Sequence, residues 1–169
     1  MRVIKLIGLL SLLLFTQSIP TLAYSRSEDN QQPIRVEADS LEVRDSDNIS
    51  IYTGNVKLIQ GSLEIHADQL TLYFDDDKTL KLMQMTGSPA TFRQLNDNDI
   101  RITGEALEME YRESKSTLLL LDNAKLTQGV NIIESNKINL NIGTNSIEAG
   151  SVEPENRVRM LIQPKQSAN

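Results

Sequence analysis

Residues 51–68, IYTGNVKLIQGSLEIHAD, constrain the fold more than any other stretch. Val56, Leu58 and Gln60 are spaced two apart, and Leu63 and Ile65 resume the beat after the turn pair Gly61-Ser62. Side chains at that spacing leave one face of a β-strand. The stretch returns in altered form. Thr53-Gly54-Asn55-Val56-Lys57-Leu58 has counterparts at Thr86-Gly87-Ser88-Pro89-Ala90-Thr91-Phe92 and at Leu121-Asp122-Asn123-Ala124-Lys125-Leu126. Ala38-Asp39-Ser40-Leu41 is echoed by Ala67-Asp68-Gln69-Leu70, Gly104-Glu105-Ala106-Leu107 and Ser135-Asn136-Lys137-Ile138, at successive offsets of 29, 37 and 31 residues. A two-strand unit recurring about every thirty residues marks stacked β architecture. One unit cannot bury its own apolar face, so the copies must stack.

The rest of the chain keeps the same beat. Ile34, Val36 and Ala38 share a face, as do Leu41 and Val43; Leu70, Leu72 and Phe74; Leu107, Met109 and Tyr111; and Ile138, Leu140 and Ile142. Val158, Met160 and Ile162 close the pattern. Clusters of short polar residues, which bond their own backbone, separate the runs as turns: Asp45-Ser46-Asp47-Asn48, Asp75-Asp76-Asp77-Lys78, Asn96-Asp97-Asn98-Asp99 and Gly143-Thr144-Asn145. Residues 117–121 are the one continuous apolar run, which predicts a strand buried on both sides. A period of 3.6 appears nowhere after the N-terminal segment. The expectation is an all-β protein of roughly a dozen or more short strands.

Composition narrows the function. The chain is 39% hydrophobic and only 4% aromatic, with no Trp, so its apolar content is aliphatic and suits a thin, elongated core. A net charge of −6 and the absence of a basic cluster exclude nucleic acid as a partner, because phosphate binding needs a basic face. Residues 1–23 read as a cleaved secretory signal: Arg2 and Lys5 precede a short apolar run, and Thr21-Leu22-Ala23 offers a cleavage site. The run is about half the length that a membrane anchor needs. Cleavage removes two bases and leaves 15 against 23 acids, a net −8. With no cysteine, an exported chain has no disulfide staples, thiol chemistry or cysteine–metal site. Residues 24–32 read as a flexible leader and 164–169 as a flexible tail around one domain at 33–163.

No constellation carries catalysis or holds a cofactor or metal. His66 is the single histidine, on the polar phase of its strand, and reads as an exposed surface residue. Asp97-Asn98-Asp99 would need an oxygen ligand at position 101 to start an EF-hand loop, and that position is Arg101. The acidic clusters are hairpin turns. What remains is the aliphatic face, which is either simple core or the lining of a groove for hydrocarbon.

The ordered set Pro33-Ile34-Arg35-Val36-Glu37-Ala38-Asp39, Thr53-Gly54-Asn55-Val56, Gln60-Gly61, Ala67-Asp68, Pro89-Ala90-Thr91-Phe92, Gly104 with Ala106, Tyr111 and Arg157-Val158 resembles the OstA-like family of periplasmic lipopolysaccharide-transport proteins. The resemblance spans about 33–163. It implies a twisted, partly open β-jellyroll whose interior holds the acyl chains of lipid A. It also implies end-to-end stacking between an inner-membrane LptC-type component and an outer-membrane LptD-type component. The family's lipid-contacting interior positions fall on Ile34, Val36, Phe92 and Tyr111. Glu113 departs from the pattern, standing where some relatives carry an apolar residue. It either ends the inner row or sits at the groove's mouth.

The physics agrees. Exposing a methylene to water costs about 0.8 kcal/mol, so an acyl chain of a dozen carbons carries roughly 10 kcal/mol and needs an apolar sheath to cross an aqueous gap. The alternatives are an LptC-like sister component, a β scaffold with a packed interior that binds no lipid, and, more remotely, a glycan-acting β-solenoid enzyme.

Overall fold

The computed structural model describes Asp29, residues 31–96, 98–150 and 157–163. The signal segment 1–23 and the tail 164–169 lie outside these residues, as does most of the 24–32 leader. Ten strands follow one another: β1 (Arg35–Glu37), β2 (Ser40–Arg44), β3 (Ile49–Gln60), β4 (Leu63–Phe74), β5 (Leu80–Leu95), β6 (Arg101–Arg112), β7 (Thr117–Gln128), β8 (Asn131–Asn141), β9 (Ser146–Gly150) and β10 (Arg159–Leu161). They form a single antiparallel sheet in the order β1-β3-β4-β5-β6-β7-β8-β10, with β2 beside β3 and β9 beside β8. The sheet does not close on itself. Short 3₁₀ turns at Asp45–Asp47 and Glu113–Lys115 join β2 to β3 and β6 to β7.

The repeats seen in the sequence are the places where this sheet bends. Apart from one at the far end of β4, between Tyr73 and Phe74, the register shifts fall between Thr53 and Val56, His66 and Gln69, Thr86 and Ala90, Glu105 and Glu108, and Leu121 and Ala124. Each sits inside one of the recurring tetrads, and together they form a line across the sheet. β1 and β2 break at the same level, where the Asp39 amide donates to the Gly54 carbonyl at 2.9 Å. Two devices make the corner. β4, β5, β6 and β8 each switch parity there: β4, for example, buries Ile65 and Ala67, then Leu70 and Leu72. An extra residue of this kind is a β-bulge, which bends a strand and keeps its ladder on either side. β3 and β7 instead place two consecutive residues in the left-handed region, Gly54 and Asn55 at φ 83° and 46°, Asp122 and Asn123 at 60° and 56°. Gly, Asn and Asp are the residue types that tolerate it. Side chains tie the corner together: Asn55 donates to Asp39 Oδ2 at 2.8 Å, Ser88 to Asp68 Oδ2 at 3.1 Å, and Ser135 to the Gly150 carbonyl at 3.0 Å.

The two halves fold over this line. Leu120 pairs with Met109, five residues along β6 from Gly104. On a straight strand that separation is roughly 17 Å. Yet a Cβ built on Gly104 would lie 3.0 Å from Leu120 Cδ2 and would overlap the Phe92 ring. Gly104 therefore leaves the space that the Phe92 ring fills while Leu120 presses from the opposite half. Around this contact Leu58, Leu70, Met85, Met109, Leu126 and Ile138 are each less than 2% exposed, so the middle of the inner face is close-packed.

Two sequence expectations change. The dozen or more short strands join pairwise through the corners, giving six long strands of 11 to 16 residues among the ten. In 117–121 only Leu118 and Leu120 are fully buried, while Leu119 and Leu121 point to the outer face and are half-buried. One side of an antiparallel sheet is free to meet solvent.

That outer face carries a charge ladder. Successive pairings align Glu37, Lys57, His66, Thr91, Glu105, Lys125, Glu134 and Arg159. Opposite charges facing one another across strands stabilise the pairing modestly. In the next row Glu64 gathers three nitrogen groups: His66 Nε2 at 2.7 Å, Lys57 Nζ at 3.8 Å and the Arg93 guanidinium. His66 is exposed, as the sequence reading has it, and is also a partner of this carboxylate. Hydrogen bonds from His66 and then Arg93 hold the Glu64 carboxyl at about 2, below its ordinary 4.5.

Two predictions follow from this packing and charge arrangement. Gly104→Ala lowers stability by about 1–3 kcal/mol through overpacking, measured by urea unfolding, whereas Gly150→Ala, whose added methyl meets nothing within 4 Å, stays within about 0.5 kcal/mol. A carboxyl depressed by folding stabilises above its unfolded value and loses that contribution as pH falls through its folded value. The stability difference between wild type and Glu64→Gln is thus full above about pH 4.5 and shrinks as pH falls towards 2. Parallel denaturation series across that range read it, and a difference that does not change with pH overturns the assignment.

Candidate functional site

The inner face of the bent sheet is the one extended apolar surface among the described residues. In the half bearing β1 and β10, register aligns Val36, Leu58, Ile65, Phe92, Gly104, Leu126, Ile133 and Met160 in one row across eight strands. Directly paired residues share a face, so the row is a continuous apolar strip. In the other half two rows run parallel to it. One holds Leu41, Tyr52, Leu70, Met85, Met109, Leu120, Ile138 and Ala149. The second holds Val43, Ser50, Leu72, Met83, Tyr111, Leu118, Leu140 and Ile147.

The four residues singled out from the sequence all fall on this face. Phe92 is 5% exposed, in the middle of its row, over Gly104. Val36 is half-buried at the β1 end of the same row. Ile34 stands two residues before Val36, on the same phase, and is 39% exposed. Tyr111 lies in the opposite half, half-buried, paired with Met83 and Leu118. Burial, together with the neighbouring Glu113 carboxylate that accepts its hydrogen bond, pushes the Tyr111 phenol upward, so it stays neutral. Glu113 itself is exposed and opens the 3₁₀ turn after β6. Its carboxylate therefore stands at the margin of the face, beside the Tyr111 hydroxyl.

The middle of the face is filled, and its ends are not. Leu41 and Val43 on β2 are 54% and 62% exposed although they pair with inward-facing Tyr52 and Ser50. At the other edge Met160 on β10 is 57% exposed beside Ile133. Apolar side chains on a core-facing phase with no strand beyond them mark the ends of a strip that continues only if something covers them.

Sequence reasoning passed over the exposure of Leu41 and Val43 and also a row of amides. Gln94 pairs with Ile102, Ile102 with Gln128, and Gln128 with Asn131, all on the inner face, and Gln60 faces inward beside Leu63. The signal was present: each Gln follows an inner apolar residue, Leu58, Phe92 or Leu126, by two. The outer face holds a mixed-charge hollow of about 380 Å³ lined by Glu64, His66, Arg93, Glu105 and Lys125, whose ion pairs already satisfy one another. Among the described residues no group of three His, Asp or Glu could hold a metal ion.

Comparison with known proteins gives this apolar strip a lineage. The family model described as "LptA/(LptD N-terminal domain) LPS transport protein" matches residues 35–146, from β1 to the start of β9. The lipopolysaccharide export system protein LptH of Pseudomonas aeruginosa is 31% identical over 155 residues, 88% of this chain and 89% of that protein. Its Escherichia coli K12 counterpart LptA is 32% identical over 154 residues, 90% of this chain and 82% of that one. The crystal structure of LptH, the LptA-homologous periplasmic component from Pseudomonas aeruginosa, superposes with a TM-score of 0.74 at 30% identity, covering 81% of this chain and 99% of LptH. Sequence match, bent open sheet and aliphatic strip coincide over the same strands, and the chain belongs to the LptA/LptD N-terminal-domain family of lipopolysaccharide transport proteins.

Proposed function

We propose that the chain is a periplasmic lipopolysaccharide carrier that shields the acyl chains of lipid A on its inner face and stacks end to end between membrane complexes. The observation that carries this reading is the apolar strip with unpaired ends, running from Val36 to Met160 and flanked by exposed Leu41 and Val43. The strip crosses the strands, so its axis is the axis along which copies would stack. Tails enter at the exposed ends and spread the two halves apart, replacing the contacts that Leu120 and Phe92 make across Gly104. Ile34, Val36, Phe92 and Tyr111 would touch hydrocarbon along this path. Each methylene taken out of water contributes about 0.8 kcal/mol, enough for a multi-chain lipid to displace side-chain contacts.

The edges suit assembly. β1 and β2 at one end and β9 and β10 at the other each pair on one side only, leaving backbone groups for a neighbour's strand. A head-to-tail contact of that kind is open-ended and builds a filament. An LptC-type component at the inner membrane and an LptD-type component at the outer membrane would cap it. The chain acts by binding alone, without catalysis, after cleavage of its signal near Ala23. The close-packed middle of the face favours one rival, a scaffold that works only through its edges. Lipid copurifying with the periplasmic protein, identified by mass spectrometry, separates the two.

Val36→Asp and Val43→Asp place a charge on the strip at half-buried and exposed positions. Each lowers lipopolysaccharide binding about tenfold or more and leaves the β-sheet circular dichroism intact. Phe92→Asp abolishes binding too, with a loss of stability of about 3 kcal/mol or more from the carboxylate in the core. Unchanged binding in both valine variants refutes the groove.

A further inference from the structure

The carboxamides form a pattern of their own. Gln60, Gln94 and Gln128 stand at or next to the end of β3, β5 and β7, and Asn131 opens β8. Their row is the margin of its half farthest from the corners, and all four are half-buried. The adjacent row towards the corner, from Val36 to Met160, contains no polar side chain. One half of the fold thus presents apolar side chains in its depth and amides at its lip. Gln60 donates to the Gln32 carbonyl at 3.1 Å, so its amide is partly committed. Asn131 differs: among the described residues its Oδ1 is a buried acceptor with no hydrogen-bonding partner. Buried polar atoms are nearly always paired, and an unpaired one points to a missing donor.

We infer that Gln94, Gln128 and Asn131 form a site for the polar end of the bound lipid, a sugar headgroup rich in hydroxyl and amide groups. This rests on the reading of the inner face as a lipid groove. With tails in the apolar row, the first sugar atoms emerge at the amide row. A carboxamide offers both donors and an acceptor, which suits hydroxyls and N-acyl groups alike. The amides are also neutral. Hydrogen bonds to a charged group are roughly twice as strong as neutral ones, and a lysine or arginine at this lip would pin a phosphorylated headgroup in place. The amides of β5, β7 and β8, with Ile102 of β6 between Gln94 and Gln128, give similar, weaker partners along the stacking axis, so the headgroup is oriented and still moves.

The full mature protein tests this with two probes, lipid A and palmitate, which share hydrocarbon and differ in the sugar. The variant Gln94→Leu/Gln128→Leu/Asn131→Leu binds lipid A about tenfold more weakly and palmitate as wild type does. In wild-type protein, the side-chain NH₂ signals of the three residues shift in NMR spectra on adding lipid A and stay in place with palmitate. Unchanged lipid A affinity in the variant, or amide signals indifferent to lipid A, overturns the headgroup site and leaves the groove standing. Equal loss of both probes overturns it in favour of a structural role for the row. Failure of the wild type to bind either probe overturns the groove and the headgroup site together.

Discussion

A sheet can fold back on itself only if its backbone stays hydrogen-bonded through the fold, and here a line of aligned corners meets that demand. Every long strand crosses the line, and each solves the problem locally with one extra residue or a left-handed pair. Buried backbone groups left without partners would each cost about 1–3 kcal/mol, so a bend made in one strand alone would not survive. Aligned across neighbouring strands, and tied by Asp39 with Asn55 and Asp68 with Ser88, the corners turn a flat ladder into two facing walls. The apolar strip, the charge ladder outside and the open edges are all consequences of where that line falls.

Much of this was legible in the sequence. Period-two alternation marked most inner residues, and Val36, Phe92 and Tyr111 stand on the inner face because it holds within each half-strand; Leu107, grouped with Met109 and Tyr111 in the sequence, instead falls in the corner of β6 and is exposed. The recurring tetrads were visible as well, though their meaning was not: they looked like repeating units and are the bends. A corner such as Ala67-Asp68-Gln69 flips the phase by one residue, so short windows on either side read as two strands. The exposure of Leu41 and Val43 could not be read from alternation, because an apolar residue on an edge strand has the same phase as one in the core. The amides were hidden for a similar reason. A glutamine two residues beyond a leucine looks like the fraying polar end of a strand until the register sets it beside Ile102 and Asn131.

The two faces divide the labour. Outside, acidic and basic side chains are mixed from β1 to β10, and Glu64 draws in His66, Lys57 and Arg93, so the surface carries no field of one sign. Inside, the three inner rows hold no charged side chain among the described residues, and Glu113 stands at the margin. The halves meet where Leu120 approaches Gly104, and the buried core also holds the small Ala90 and Ala106 and the flexible Met83, Met85 and Met109, which adapt to new neighbours more readily than rings do. A ring-poor interior was the first hint in the composition, and in the fold it becomes a wall made almost wholly of aliphatic and thioether side chains.

The phase change at the corners sets how such a chain can drift over evolutionary time. Turns such as 75–79 or 142–145 can lengthen or shorten with little effect, since nothing downstream depends on their count. A single residue gained or lost between Ala67 and Gln69 would turn half of β4 inside out, moving Leu70 and Leu72 to the outer face and Gln69 and Thr71 to the inner one. Insertions and deletions are therefore tolerated at the tips of the hairpins and forbidden at their waists, and the waist is the part of the sequence where spacing carries more information than residue identity.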